Sequence, residues 1–185
     1  MDGTLTMAAH DFDSIRKDLN IESGIPILEA IDTMPPQLAQ QTSAKLYQLE
    51  LEIAAESVAQ PDAKALLEHL QTQGCSLGIL TRNAEDIATV TLQAAGLASY
   101  FHSNCVVGRE RCLPKPDPAG LHHLLGIWQA ETQHAVMVGD YMFDLQAGRN
   151  AGIATVHFSP SNEFHWPELS DHCVTTLAEL TELAT

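Results

Sequence analysis

Five side chains in four short stretches have types and spacings that suit the transfer of a phosphoryl group. Asp2 opens an Asp-Gly-Thr stretch, Thr81 ends an apolar run, Lys115 lies between two prolines, and Asp140 and Asp144 are four residues apart. Phosphoryl transfer requires a nucleophile, a proton donor for the leaving oxygen and positive charge around the phosphoryl oxygens. The four stretches offer most of these parts.

Each of these side chains can be assigned a chemical part. Asp2 could move the proton, and Thr81 could donate a hydrogen bond to a phosphate oxygen beside the N–H groups at the start of the next helix. The prolines restrict the backbone around Lys115, whose ammonium could pair with a phosphate and a carboxylate together. Asp140 and Asp144 could face one cation, and oxygen ligands suit Mg²⁺.

The distribution of charge indicates a small anionic ligand. The formal net charge of −15 argues against a nucleic-acid or anionic-membrane partner. The chain has only nine Lys and Arg residues, and four of them, Arg82, Arg109, Arg111 and Lys115, fall in two short loops beside the Thr and Lys motifs. We therefore expect Arg82 to bind a phosphoryl group together with Thr81 and Lys115.

Each motif alone has a purely structural interpretation. Asp2-Gly3-Thr4 could be a turn, Thr81 a helix-start residue, the sequence around Lys115 a rigid surface loop, and Gly139-Asp140 a turn after a strand. Their joint occurrence, in this order and at predicted strand ends, favours an active site.

The elements that must position these residues follow from hydrophobic periodicity. Residues 7–60 have helical patterns and no convincing strand, whereas strands and helices alternate from residue 61 onward. Apolar runs at 75–80 and 135–138 precede Thr81 and Asp140, and Asn83 is expected to cap the helix after Thr81. The pattern predicts an α/β fold, a Rossmann-like and mostly parallel sheet with helices on both faces, whose ligands bind at the carboxyl ends of the strands.

The remaining composition indicates a cytoplasmic chain of one core with a small insertion. No apolar run approaches the roughly 20 residues that a membrane span needs, and the start lacks the features of a signal peptide. The four cysteines are scattered. We expect free thiols in a reducing compartment, buried at Cys75, Cys105 and Cys173, which lie in strand-like surroundings.

Taken together, the motifs resemble those of the haloacid dehalogenase superfamily of hydrolases, in its phosphoglycolate-phosphatase-like branch with a helical cap. Asp2-Gly3-Thr4-Leu5-Thr6 resembles the end of the DxDGTLT motif, Leu80-Thr81 the second motif, Lys115 the third, and Gly139-Asp140 with Asp144 the GDxxxD form of the fourth. The resemblance implies a core of residues 1–6 and 61–185, with residues 7–60 as the cap.

The resemblance also implies roles for these residues. Asp2 would be the general acid/base, and its backbone carbonyl would help to hold Mg²⁺. Asp140 would be a direct metal ligand, Asp144 would support the metal, and Thr81, Arg82 and Lys115 would bind the phosphoryl group. The substrate would be a small phosphorylated metabolite.

One part of the family pattern has no counterpart in the printed sequence. The nucleophilic aspartate, first in DxDGT, would stand just before Met1, and so would the apolar strand that leads into it. We expect the reading frame to continue upstream and to supply both. The alternatives are a phosphate-binding pseudoenzyme and a phosphomutase that uses the same intermediate. A receiver domain is disfavoured because it has no place for the insertion or for Asp140 and Asp144. Which substrate is used and the oligomeric state stay open.

Overall fold

The computed structural model describes residues 1–8 and 11–183. The expected cap and core also include residues 9–10 and 184–185, which lie outside the described residues. The chain begins with the loop Met1–Thr6 and continues into three helices, α1 (Phe12–Asp18), α2 (Ile27–Asp32) and α3 (Pro36–Ala55). The Asp11 side chain accepts a hydrogen bond from the Ser14 N–H at 3.0 Å and so caps α1. Proline starts α3, where its missing N–H is harmless.

These three helices enclose an apolar cluster of their own. Its buried members are Ile15 and Leu19 on α1, Ile21 after it, Ile31 on α2 and Leu46 on α3. Leu46 also lies on the described wall of a cavity shared with the rest of the chain. The helical segment, residues 11–55, therefore packs as one unit and faces the α/β part.

Strands and helices alternate in the rest of the chain, as the periodicity predicts. The elements in order are α4 (Ala63–Thr72), β1 (Ile79–Leu80), α5 (Glu85–Ala94), β2 (Val106–Val107), α6 (Ala119–Trp128), β3 (Val136–Gly139), α7 (Met142–Ala151), β4 (Ala154–Phe158), β5 (His172–Val174) and α8 (Glu179–Leu183).

All of the strand pairings between these named strands are parallel. β1 pairs with β2, and β3, β4 and β5 form a second sheet in that order. Among the described residues no ladder joins β1 to β3. The two sheets nevertheless share one apolar cluster, which contains Ile79 of β1 and Val156 of β4.

Successive strand residues point to opposite faces, and helices cover both faces. Ile79 and Val106 pack in the cluster that includes α4, α5 and α8, whereas Leu80 and Val107 pack in the cluster that includes α6 and α7. This alternation explains the continuous apolar runs of the strands. The predicted fold class, an α/β fold of parallel strands flanked by helices, is confirmed.

The strand β1 is shorter than the apolar run at 75–80 predicts. Only Ile79 and Leu80 find partners, on Val106 and Val107, while Cys75 is exposed. Cys173 is exposed as well, and Cys105 is buried. The four cysteines are free, as expected. The prediction that Cys75 and Cys173 are buried was wrong, because apolar neighbours in the sequence do not by themselves cover a residue in the fold.

A separate finding concerns membrane insertion: within residues 1–8 and 11–183, no helix combines the length and apolar character that crossing a bilayer requires.

Truncation of a core leucine tests the shared cluster. Leu92 is 2% exposed there, so Leu92→Ala should lower the free energy of unfolding by about 2–5 kcal/mol, through lost burial and a cavity. Leu38→Ala is the matched control, since Leu38 is 48% exposed and its loss should change that free energy by less than about 0.5 kcal/mol. Urea unfolding of both variants measures the difference, and equal losses would contradict the core described here.

Candidate active site

The loop Met1–Thr6 is a tight turn built around one carbonyl oxygen. The Met1 carbonyl accepts hydrogen bonds from the N–H groups of Thr4, Leu5 and Thr6 at 3.1, 2.8 and 3.1 Å. Gly3 has a positive φ of 75°, and a Cβ at that position would lie 2.2 Å from Oδ2 of Asp140. Glycine is therefore required here both by the backbone conformation and by the close approach of Asp140.

The turn presents the Asp2 carboxylate to two donors. Thr6 Oγ1 donates to Asp2 Oδ1 at 3.1 Å, and Asn83 Nδ2 donates to Asp2 Oδ2 at 3.0 Å. The prediction that Asn83 caps a helix was wrong, because α5 begins at Glu85 with Ala84 at its N-cap. Asn83 instead orients Asp2. The sequence signal that could have found it is a second polar residue in the loop that carries Thr81.

Thr81 is buried at the end of β1 and is held from both sides. Its N–H donates to the Val107 carbonyl at 3.0 Å, and its Oγ1 accepts from the Asn83 N–H at 3.1 Å. Because the hydroxyl oxygen acts as an acceptor in this contact, its hydrogen can be donated elsewhere.

Lys115 and Asp144 form a buried ion pair between the loop before α6 and the first turn of α7. Lys115 Nζ donates to Asp144 Oδ1, and both side chains are more than nine-tenths buried. The other oxygen of Asp144 accepts from the Tyr141 N–H at 3.1 Å, at the start of α7. Burial by itself would raise the pKa of Asp144, but the Lys115 ammonium and the hydrogen bonds lower it below the usual value.

Asp140 is a partly buried carboxylate for which no ion pair with Lys or Arg is found among the described residues. Thr4 Oγ1 donates to Asp140 Oδ1 at 2.6 Å. Burial first, and then the charge of Asp144, raise the pKa of Asp140 above its usual value. A nearby cation would favour the ionised form of this carboxyl group.

A cavity of about 380 Å³ joins these side chains to the helical segment. Asp2, Thr81, Arg82, Lys115, Asp140 and Asp144 line it from the α/β part. Its other wall comes from residues 11–55, among them Ile15, Arg16, Ile27, Leu28, Leu46 and Glu50. The volume suits a small metabolite, since ligand pockets commonly span about 300–1,000 Å³.

Two arginines connect the loops of this cavity to the helical segment. Arg109 Nη1 and Nη2 bond the two Glu50 carboxylate oxygens at 2.8 and 2.9 Å. Arg82 Nη2 bonds the two Glu29 oxygens at 2.7 and 2.6 Å, and its Nη1 donates to the Lys115 carbonyl. The predicted phosphate ligand Arg82 is thus already engaged, and its role as a phosphate ligand stays a prediction.

The residues that the sequence suggested as metal ligands offer oxygen atoms only. Among the described residues, no cluster of three or more His, Cys, Asp or Glu side chains could hold a metal ion. Mg²⁺ usually takes one or two protein carboxylates and completes its shell with waters and substrate phosphate. Asp140, whose pKa is raised first by burial and then by the charge of Asp144, offers one such carboxylate, and Asp144 and Asp2 line the same cavity.

The structure brings together the residues that the sequence suggested. All six candidates line one cavity, although they come from positions up to 142 residues apart in the chain. Their individual roles stay predictions.

Comparison with known proteins decides the family. A family model described as haloacid dehalogenase-like hydrolase matches residues 7–158. The chain belongs to this family. The resemblance seen in the motifs is thereby confirmed.

Individual relatives agree with this membership. An uncharacterized hydrolase of Saccharomyces cerevisiae is 29% identical, over 99% of this chain and 87% of its own length. The ribulose-1,5-bisphosphate 5-phosphatase of Halopiger xanaduensis is 35% identical over 66% of this chain, and the phosphoglycolate phosphatase of Rhodospirillum rubrum is 37% identical over 54%. The chain spans only 55% and 41% of those two phosphatases.

A solved structure shows the same fold over the whole chain. A hydrolase from Pseudomonas syringae superposes with a TM-score of 0.81 at 23% identity, covering 100% of this chain and 96% of that one.

Alanine at Gly3 tests the close approach to Asp140. Gly3→Ala and Gly74→Ala both place a side chain at nearly the same positive φ, 75° and 76°, which costs about 1–2 kcal/mol. Nothing lies within 4 Å of a Cβ at Gly74, whereas one at Gly3 meets Asp140. Gly3→Ala should therefore lower the free energy of unfolding more than Gly74→Ala does. Equal losses in urea titrations would show that Asp140 does not lie there.

The two arginine–glutamate pairs should differ in their contribution to stability. Glu50 and Arg109 are 7% and 18% exposed, whereas Glu29 is 47% exposed. Glu50→Gln should lower the free energy of unfolding by about 1.5–3 kcal/mol, the range for a hydrogen bond to a charged group. Glu29→Gln, the matched control, should lower it by about 0–1 kcal/mol because solvent screens that pair. A larger loss for Glu29→Gln would reverse this assignment.

Proposed function

We propose that the protein is a Mg²⁺-dependent phosphatase that hydrolyses a small phosphorylated metabolite. The observation that carries the proposal is the convergence of Asp2, Thr81, Lys115 and Asp140 on one small cavity. Membership of a hydrolase family and similarity to phosphatases support the same reaction type. The oxygen-only candidate ligands support Mg²⁺.

The proposed reaction has two steps, in which Asp2 first gives up a proton and then takes one from water. In the first, a carboxylate that would precede Met1 attacks phosphorus, and the ester oxygen leaves with a proton from Asp2. In the second, water attacks phosphorus of the aspartyl phosphate and Asp2 takes a proton from that water, while the bond between phosphorus and the aspartyl oxygen breaks, which releases phosphate and restores the carboxylate. Mg²⁺, when bound by Asp140 with the support of Asp144 and the Asp2 carbonyl, would neutralise negative charge on the phosphoryl oxygens.

The other candidate residues would hold the phosphoryl group. The Thr81 hydroxyl is supported by the Asn83 N–H, and the Lys115 ammonium is fixed by Asp144. Arg82 would reach the phosphoryl group only on leaving Glu29. Asp2 is oriented for proton transfer by Thr6 and Asn83.

In this proposal residues 7–60 are the cap, and residues 1–6 and 61–185 are the core. The helical segment lines the same cavity as the predicted catalytic residues. A cap in this position would exclude water from the reaction and select the substrate. The free thiols support a cytoplasmic location.

Release of phosphate from p-nitrophenyl phosphate tests the proposal. The printed chain and a version extended by the residues encoded upstream of Met1 are assayed with Mg²⁺ and with a chelator. The extended version should release phosphate only with Mg²⁺, and its Asp140→Asn variant should lose the stimulation by Mg²⁺.

Each other result has a distinct meaning. No turnover by the extended version would contradict the proposed phosphatase activity and favour the alternative of a phosphate-binding pseudoenzyme. Transfer of the phosphoryl group to an added sugar phosphate in preference to water would identify a phosphomutase. Mg²⁺ stimulation that survives Asp140→Asn would place the metal elsewhere.

A further inference from the structure

Arg16 brings a positive charge of the helical segment into the cavity. It is on α1 and lines the cavity together with Ile15, Ile27 and Leu46. Its Nε is buried and has no hydrogen-bond partner among the described residues. An unsatisfied buried donor is unfavourable, so a ligand that accepts this hydrogen bond would be stabilised.

The other two basic side chains that line the cavity are already neutralised. Lys115 is paired with Asp144, and Arg82 is paired with both oxygens of Glu29. The helical segment has two further basic residues, Lys17 and Lys45, and neither lines the cavity. Lys45 donates to the Asp18 carbonyl.

The existing partner of Arg16 holds it only loosely. Nη2 of Arg16 donates to Asp13 Oδ1 at 3.0 Å, three residues earlier on the same helix. The Asp13 side chain is 74% exposed. Solvent screens such a pair, which contributes little to stability. An anion in the cavity could therefore engage the guanidinium without losing a strong competing contact.

The surroundings of Arg16 favour recognition of an anion over a neutral group. Apolar side chains line the cavity around it, and a guanidinium in a poorly hydrated site binds an oxygen anion more strongly than one in bulk water. Its planar fork matches carboxylate and phosphate oxygens alike. Arg16 and the phosphoryl-site residues line the same small cavity, so one small molecule could contact both.

We infer that Arg16 is a specificity-determining residue, and that the substrate is a small phosphate monoester with a second anionic group. The phosphoryl group lies at Thr81 and Lys115, and the second group, a carboxylate or another phosphoryl group, binds Arg16. This inference rests on the proposed function, because that function places the phosphoryl group.

Binding of matched ligands to the printed chain, measured by calorimetry with Mg²⁺, tests the inference without turnover. 3-Phosphoglycerate carries a carboxylate where glycerol 3-phosphate carries a hydroxymethyl group. Propane-1,3-diol bisphosphate carries a second phosphoryl group. The chain should bind one or both of the ligands with an anionic group at each end more tightly than glycerol 3-phosphate. The expected difference in affinity is about 10- to 100-fold, the range of a charge-assisted hydrogen bond.

Two variants on one helix separate a direct contact from general charge. Arg16→Gln should reduce the preference for a second anionic group to about threefold or less, because one charge-assisted contact is lost. Lys17→Gln removes the same charge from an exposed position of α1 and should keep the full preference. Arg16→Lys should restore part of it.

The outcomes distinguish the two proposals. Equal affinity of the unmodified chain for all three ligands, or a preference that survives Arg16→Gln, would overturn the role of Arg16 and leave the phosphoryl site intact. No binding of any of the three ligands would contradict the phosphoryl site of the proposed function, and the inference with it.

Discussion

The buried ion pair of Lys115 and Asp144 is the constraint on which the arrangement of the cavity depends. Two charges this far from water are tolerated only when they are paired and their remaining hydrogen-bonding capacity is used. Asp144 meets this condition through Lys115 and the Tyr141 N–H. The pair therefore fixes the loop before α6 against the start of α7, and it keeps Asp140, at the end of β3, facing the same space.

The sequence could predict the fold class and the places of the candidate residues at the ends of strands, because these depend on local patterns. Apolar runs followed by Thr81 and by Asp140 predict residues at strand ends, and parallel strands bring those ends together. The extent of a strand is another matter. It depends on partners, so the apolar run that ends at Leu80 forms a ladder only where Val106 and Val107 lie beside it.

Long-range pairings of polar side chains could not be predicted in the same way. Asn83 has the sequence context of a helix cap, yet it contacts Asp2, 81 residues away. Glu50 looks like any exposed position of an amphipathic helix, yet it is buried against Arg109. Both pairings depend on how the helical segment and the loop Met1–Thr6 dock, and no local pattern contains that information. Arg16 is a similar case, since its placement in the cavity follows from the docking of α1.

The loop Met1–Thr6 physically links the two sheets at the cavity. On one side Asp2 accepts from Asn83, in the loop after β1, and on the other side Thr4 donates to Asp140, at the end of β3. Since no ladder joins β1 to β3 among the described residues, these hydrogen bonds and the shared apolar cluster set the distance between the two halves of the site. A displacement of this loop would therefore change the distance between the Thr81 hydroxyl and the Asp140 carboxylate, which line the same cavity.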